Sequence, residues 1–120
     1  LAQPLSAEDM ADIDAWYSSQ TIAPRSISED QLALASEGES LYRGGSAELA
    51  IPACMACHGP AGHGIPTNYP RVAGQWPEYL ESQLLAFKSG ERAGKIMGPI
   101  AHRLSAQQIH ALSVYMSALQ

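Results

Sequence analysis

The stretch that most constrains this chain is Cys54-Met55-Ala56-Cys57-His58. It sets two thiols three positions apart and follows them at once with an imidazole. A structural zinc site takes four protein ligands, and no second Cys/His pair sits at ligand spacing downstream. A thioredoxin-like dithiol needs a βαβ setting, whereas the flanks here are Gly, Pro and helical patterns. A disulfide across so short a span would be strained and would leave His58 without a role. The reading that uses all three side chains is attachment of c-type haem, with each cysteine in a thioether to a vinyl group and the histidine on iron.

Composition fits one such centre. A length of 120 residues is one domain's worth. Aromatic residues make up only 7%, and a flat porphyrin at the centre supplies the apolar volume they do not. The formal charge of −5 becomes more negative with two propionates, which excludes nucleic acid as a partner and favours a protein surface with a basic patch. No apolar run approaches a membrane span, and Leu1 onward lacks the basic and apolar regions of a signal peptide. Haem of this type is attached outside the bacterial cytoplasm. The motif therefore implies an exported, periplasmic protein whose leader has been removed.

The chain opens with an amphipathic helix. Ser6 is its N-cap, Glu8 and Asp9 occupy the first turn, and Met10, Ile13 and Trp16/Tyr17 form its apolar stripe. Leu104-Ser105-Ala106 repeats the Leu5-Ser6-Ala7 start and puts an apolar residue at each matching position, and the alignment runs back to set Leu1-Ala2 over Ile100-Ala101. Residues 1–24 are thus expected to be the terminal helix of a preceding, similar domain plus a proline-interrupted linker, and 25–120 the monohaem domain. A leading helix separated from its own core would pack on this domain or on a second copy, so a dimer through that helix is expected.

Within 25–120, Ser28 with Gln31 has the form of a capping box, and the helix after it carries Leu34, Gly38, Leu41 and Tyr42 on one face before Gly44-Gly45. Gly38 is costly in a helix interior, which predicts close approach of another backbone. Residues 59–71 are too rich in Gly and Pro for regular structure. Pro77 starts the next helix, with Leu80, Leu84 and Phe87 facing inward and Gly90 at its end. Residues 91–103 read as irregular, and a final helix from Ser105 buries Ile109, Leu112, Tyr115/Met116 and Leu119. No stretch alternates as a strand does, so the fold is all-α.

Iron needs a sixth ligand if it is only to carry charge. Of the four methionines, Met55 lies between the thioethers, Met116 sits at core spacing, and Met10 belongs to the leading helix. Met97 lies in a Gly- and Pro-flanked loop able to cross the other haem face, and is the expected ligand. The alternatives for the sixth position are an open site, His102 or His63, although His63, His102 and His110 all read as solvated imidazoles. A thioether and an imidazole favour Fe(II) and leave no position for a substrate, so the metal sites are His58 and Met97 and the chemistry is electron transfer.

The sequence resembles class I cytochrome c and, within it, the haem domains of the dihaem cytochromes c4. The resemblance rests on Cys54-Met55-Ala56-Cys57-His58-Gly59, Tyr69-Pro70-Arg71-Val72-Ala73-Gly74-Gln75 and Met97-Gly98-Pro99-Ile100-Ala101. It implies that the carbonyl of Pro70 accepts a hydrogen bond from His58 Nδ1. It also implies that Gly38 and Tyr42 meet Tyr115 where the first and last helices cross, and that Arg71, Gln75, Trp76 and Tyr79 carry donors near the propionates. The partners it implies are transient redox proteins, among them a quinol-oxidising complex and a membrane-bound terminal oxidase or reductase. The alternative is a haem enzyme or a gas or peroxide sensor with an open sixth position, for which no distal polar set is evident.

Overall fold

A computed structural model describes residues 3–21, 23 and 25–120. The expected match of Leu1-Ala2 with Ile100-Ala101 and the linker residues Ile22 and Pro24 lie outside the described residues. Among the described residues six α-helices follow in order: α1 (Ala7–Ser18), α2 (Leu32–Gly44, preceded by a 3₁₀ turn at Glu29–Gln31), α3 (Met55–His58), α4 (Pro77–Ser89), α5 (Met97–Arg103) and α6 (Ala106–Ser117). Extended backbone pairs only in two isolated bridges among the described residues, Ser46 with Ile51 and Ile65 with Tyr69. The fold is all-α, as expected.

Helix ends follow the local chemistry. Ser105 accepts from Gln108 N at 3.1 Å, and Gln108 reaches back to Ser105 N at 2.8 Å. Ser6 and Asp9 close the same reciprocal box on α1 at 3.0 and 3.1 Å, so the repeated text has repeated geometry. Ser28 departs from expectation. Its hydroxyl donates to the Gln31 side chain at 3.1 Å and caps no backbone group, and the α-helix begins only at Leu32.

The core sits where α6 crosses α2 and α4. Gly38 is buried against α6, and a Cβ there would lie 2.7 Å from the carbonyl carbon of Ala111 and 2.9 Å from Tyr115 Cβ. The glycine is what lets the two backbones touch. One turn on, the Tyr42 and Tyr115 rings meet with centroids 5.5 Å apart. The expected single stripe on α6 becomes all-round burial from Ala111 to Ser117, because α2 and α4 cover different sides. The small side chains of Ala111 and Ser113 permit this, the latter donating its hydroxyl to Ile109 O at 2.7 Å.

α1 buries none of its residues: Trp16 is 59% and Tyr17 67% exposed, and Met10 and Ile13 are exposed beside them. Its apolar face does not pack on this domain. No helix among the described residues is long and apolar enough to cross a membrane.

Candidate haem site

The pentapeptide forms a single turn of helix. α3 begins at Met55, with Cys54 as its N-cap in helical conformation and His58 N donating to Cys54 O at 2.9 Å. Helical pitch places Cys54 and Cys57 on one side of the turn and carries His58 inward, where it is buried. Gly59 ends the turn at φ +86°, and its carbonyl accepts the buried Tyr42 hydroxyl at 2.6 Å. Tyr42 thereby ties α2 to the haem motif. Sequence reasoning set Tyr42 in the helix crossing and missed this bond; the signal was that a buried phenol must find a partner.

The loop after α3 then folds back to present Pro70. His58 O accepts from Gly64 N at 2.8 Å, and Gly62 O accepts from Val72 N at 2.8 Å and Ala73 N at 2.9 Å. Gly64, at φ +81°, is required here, since a Cβ would lie 2.7 Å from both Arg71 N and the Pro70 carbonyl carbon. This brings Pro70 O to 2.8 Å from His58 Nδ1. A carbonyl can only accept, so Nδ1 carries a proton, and in the neutral ring Nε2 is left as the lone pair for a metal.

Next to that imidazole lies a cavity of about 670 Å³. Leu80, Leu84 and Phe87 of α4, Leu112 and Met116 of α6, and Val72 and Leu104 make its walls apolar. A smaller recess of about 90 Å³ adjoins it, bordered by Cys57, Ala53, Tyr69 and Ile100, and the two share Cys54, His58, Asn68, Pro70, Ile96 and Met97. Arg71, Gln75, Tyr79, Arg92 and Lys95 bring polar and cationic groups to the larger cavity. An apolar slot of cofactor size, with two thiols and an imidazole on its wall and cations around it, fits a flat macrocycle bearing carboxylates. Burial pushes the Cys54 thiol up to about 11, so it stays protonated at neutral pH in the unmodified chain.

Met97 borders both cavities and packs against the core. It is the first residue of α5, not part of a loop: the irregular stretch ends at Ile96, and residues 97–103 are helical despite Gly98 and Pro99. Proline is tolerated because it falls in the first turn, where its missing N–H is not needed. Met116 also borders the larger cavity, as a buried core residue, and Met55 packs against the core. Met10 lies on α1 and is exposed.

Of the four residues expected near the propionates, Arg71, Gln75 and Tyr79 border the large cavity and Trp76 does not. Arg71 Nε donates to Ala73 O at 3.1 Å and Gln75 Nε2 to Arg71 O at 2.7 Å, which fixes both at the edge. Trp76 is 64% exposed and lies 3.6 Å beneath the guanidinium of Arg25, whose Nε donates to Gly74 O at 3.3 Å. His63 is exposed and bonded to Gln120 O at 2.8 Å, His102 is exposed on α5, and His110 is exposed with Nδ1 3.0 Å from Glu81.

The family model for cytochrome c matches residues 35–120. The chain belongs to the cytochrome c family. Cytochrome c4 from Pseudomonas aeruginosa is 40% identical over 120 residues, a match covering 96% of this chain and 58% of that protein. A thiosulfate dehydrogenase electron acceptor from Thiomonas intermedia is 35% identical over 98% of this chain and 56% of its own length. The crystal structure of reduced recombinant cytochrome c4 from Pseudomonas stutzeri superposes with a TM-score of 0.84 at 38% identity, covering 99% of this chain and 64% of that one. This cytochrome chain thus spans a little over half the length of the curated relatives it matches. Its cofactor is one covalent haem c, and Cys54 and Cys57 are the thiols of the motif.

Proposed function

We propose that this domain is a periplasmic electron carrier with His58 and Met97 as the two iron ligands. The haem c supplies a one-electron Fe(III)/Fe(II) couple, and the protein's part is to anchor, ligate and insulate it. Thioethers from Cys54 and Cys57 fix the ring to α3. The Pro70 carbonyl holds His58 in one tautomer and one orientation and raises its basicity as a ligand. The thioether of Met97, neutral and soft, biases the couple toward the reduced state. Leu80, Leu84, Phe87 and Leu112 keep water from the buried faces, while Arg71, Gln75 and Tyr79 donate to the propionates.

The carrying observation is that a histidine held at Nδ1 and a methionine line one apolar slot. With His58 and Met97 both committed to holding the iron, the group would have no position left for a substrate, which favours a carrier over an enzyme or gas sensor. The exchange partners are redox proteins docking transiently: a quinol-oxidising complex or, as for the similar electron acceptor of Thiomonas intermedia, a thiosulfate dehydrogenase as donor, and a terminal oxidase or reductase as acceptor. Residues 1–24 we assign to the end of a preceding cytochrome-like repeat, supported by the matching capping boxes of α1 and α6 and by the exposed stripe on α1.

The test is optical. The ferric holoprotein is expected to show the weak near-infrared band of methionine ligation and to bind cyanide or carbon monoxide poorly. Met97→Ala should abolish the band and lower the reduction potential. A band that survives Met97→Ala, or an unmodified protein that binds gas readily, would refute the assignment.

A further inference from the structure

Met97 sits on a short helix whose far end is held by one lysine of another helix. α5 has only seven residues, so most of its backbone groups lack partners within the helix. Lys88, near the end of α4, reaches across and donates its Nζ to His102 O at 2.9 Å and to Leu104 O at 2.6 Å. These carbonyls lie at the negative end of α5, where a cation is most favourable. The basic residues of the α5 last turn do not replace it: Arg103 is directed to Ala50 O, at 3.3 Å.

The segment before Met97 is pinned to the same helix. Arg92 N donates to Ala86 O at 3.1 Å, Arg92 Nη1 donates to Gln83 at 2.7 Å, and the guanidinium lies 4.5 Å over Phe87. α4 therefore grips the chain on both sides of Met97. His102 is five positions beyond Met97, about 7.5 Å along the axis, and a single rigid turn and a half joins them. Release at the lysine end lets that rod slide or tilt, and its other end is the sulfur donor.

We propose that Lys88 is a positioning residue for the axial sulfur: by capping α5 it holds Met97 on the iron and keeps external ligands out. The inference rests on the reading of Met97 as a ligand. It assigns Lys88 a role that its place on α4, outside every recognised motif, does not suggest.

The experiment compares ferric holoproteins carrying Lys88→Met, Lys88→Gln and Lys88→Arg, with Met97→Ala as reference. Cyanide can bind only when the sulfur has left, so its binding rate reports the fraction open. Lys88→Met, which keeps the stem and loses the donors, should bind cyanide about tenfold faster, in line with loss of hydrogen bonds from a charged donor, with a near-infrared band that fades at lower temperature. Lys88→Gln should fall between, and Lys88→Arg should restore the original rate. A lowered melting temperature with an unchanged cyanide rate and band would make Lys88 a structural cap only and overturn the proposal. Should Lys88→Met be recovered without haem, an unmodified rate in Lys88→Gln overturns it equally. Survival of the band in Met97→Ala defeats the ligand assignment itself, whereas its loss there together with unmodified Lys88 variants defeats only the role of the lysine.

Discussion

Replacing Gly38 by alanine tests whether the α2/α6 crossing is set by backbone contact. In an open helix this change is favourable by about 1 kcal/mol. Here the added methyl would stand 2.7 Å from the Ala111 carbonyl carbon and 2.9 Å from Tyr115 Cβ. Neither neighbour is the free end of a flexible side chain, so the helices must separate. Overpacking of this kind costs about 1–3 kcal/mol, and a backbone obstacle belongs at the upper end. Taking about 3 and subtracting the propensity gain leaves a net loss of about 2 kcal/mol, a fall of about 8–16 °C in melting temperature for a domain of this size. Gly44 is the control: it also lies in α2, and a Cβ there meets nothing within 4 Å. Thermal and guanidinium unfolding of the holoproteins, followed by circular dichroism, should show Gly38→Ala well below and Gly44→Ala at or above the unmodified midpoint. Equal midpoints for Gly38→Ala and the unmodified protein would refute the close-contact reasoning.

Tyr42→Phe removes the 2.6 Å bond to Gly59 O and leaves that carbonyl buried, which should cost about 1–3 kcal/mol in denaturant titrations. Burial, followed by the nearby Tyr115, pushes the Tyr42 phenol up from 10.0 to about 12. Its neutral form is thus favoured by folding, and this stabilisation is fully present below pH 10 and lost as pH rises from 10 through about 12. Tyr42→Phe should flatten stability over that alkaline window, and an unchanged pH profile would show that another group governs it. Ser105→Ala should lower global stability by about 1 kcal/mol through loss of its cap. Ser6→Ala should leave the cooperative midpoint unmoved, because α1 buries nothing here; a matching loss at Ser6 would mean that α1 is docked in solution.

Much of the site was legible because its chemistry is local. The spacing of Cys54, Cys57 and His58 permits one cofactor chemistry, and the turn that positions them is only five residues long. Gly38 announced a helix contact by being a poor helix former in a helix. The helix from Pro77 to Gly90 carried its own start and stop. Met97 was singled out by elimination among four methionines, and its setting was misjudged: Gly98 and Pro99 argue for a loop when read alone, and they form the first turn of α5 because α4 supplies the anchors that so short a helix lacks.

Sequence alone determined the cofactor, its covalent mode of attachment and the helical class, since each follows from residue types at fixed short spacing. Tertiary structure alone decided how Tyr42 reaches Gly59 and that Lys88 closes the end of the helix carrying Met97. Each of these joins side chains to backbone groups of distant segments. Backbone atoms are the same at every residue, so no pattern of letters marks which of them a side chain will find.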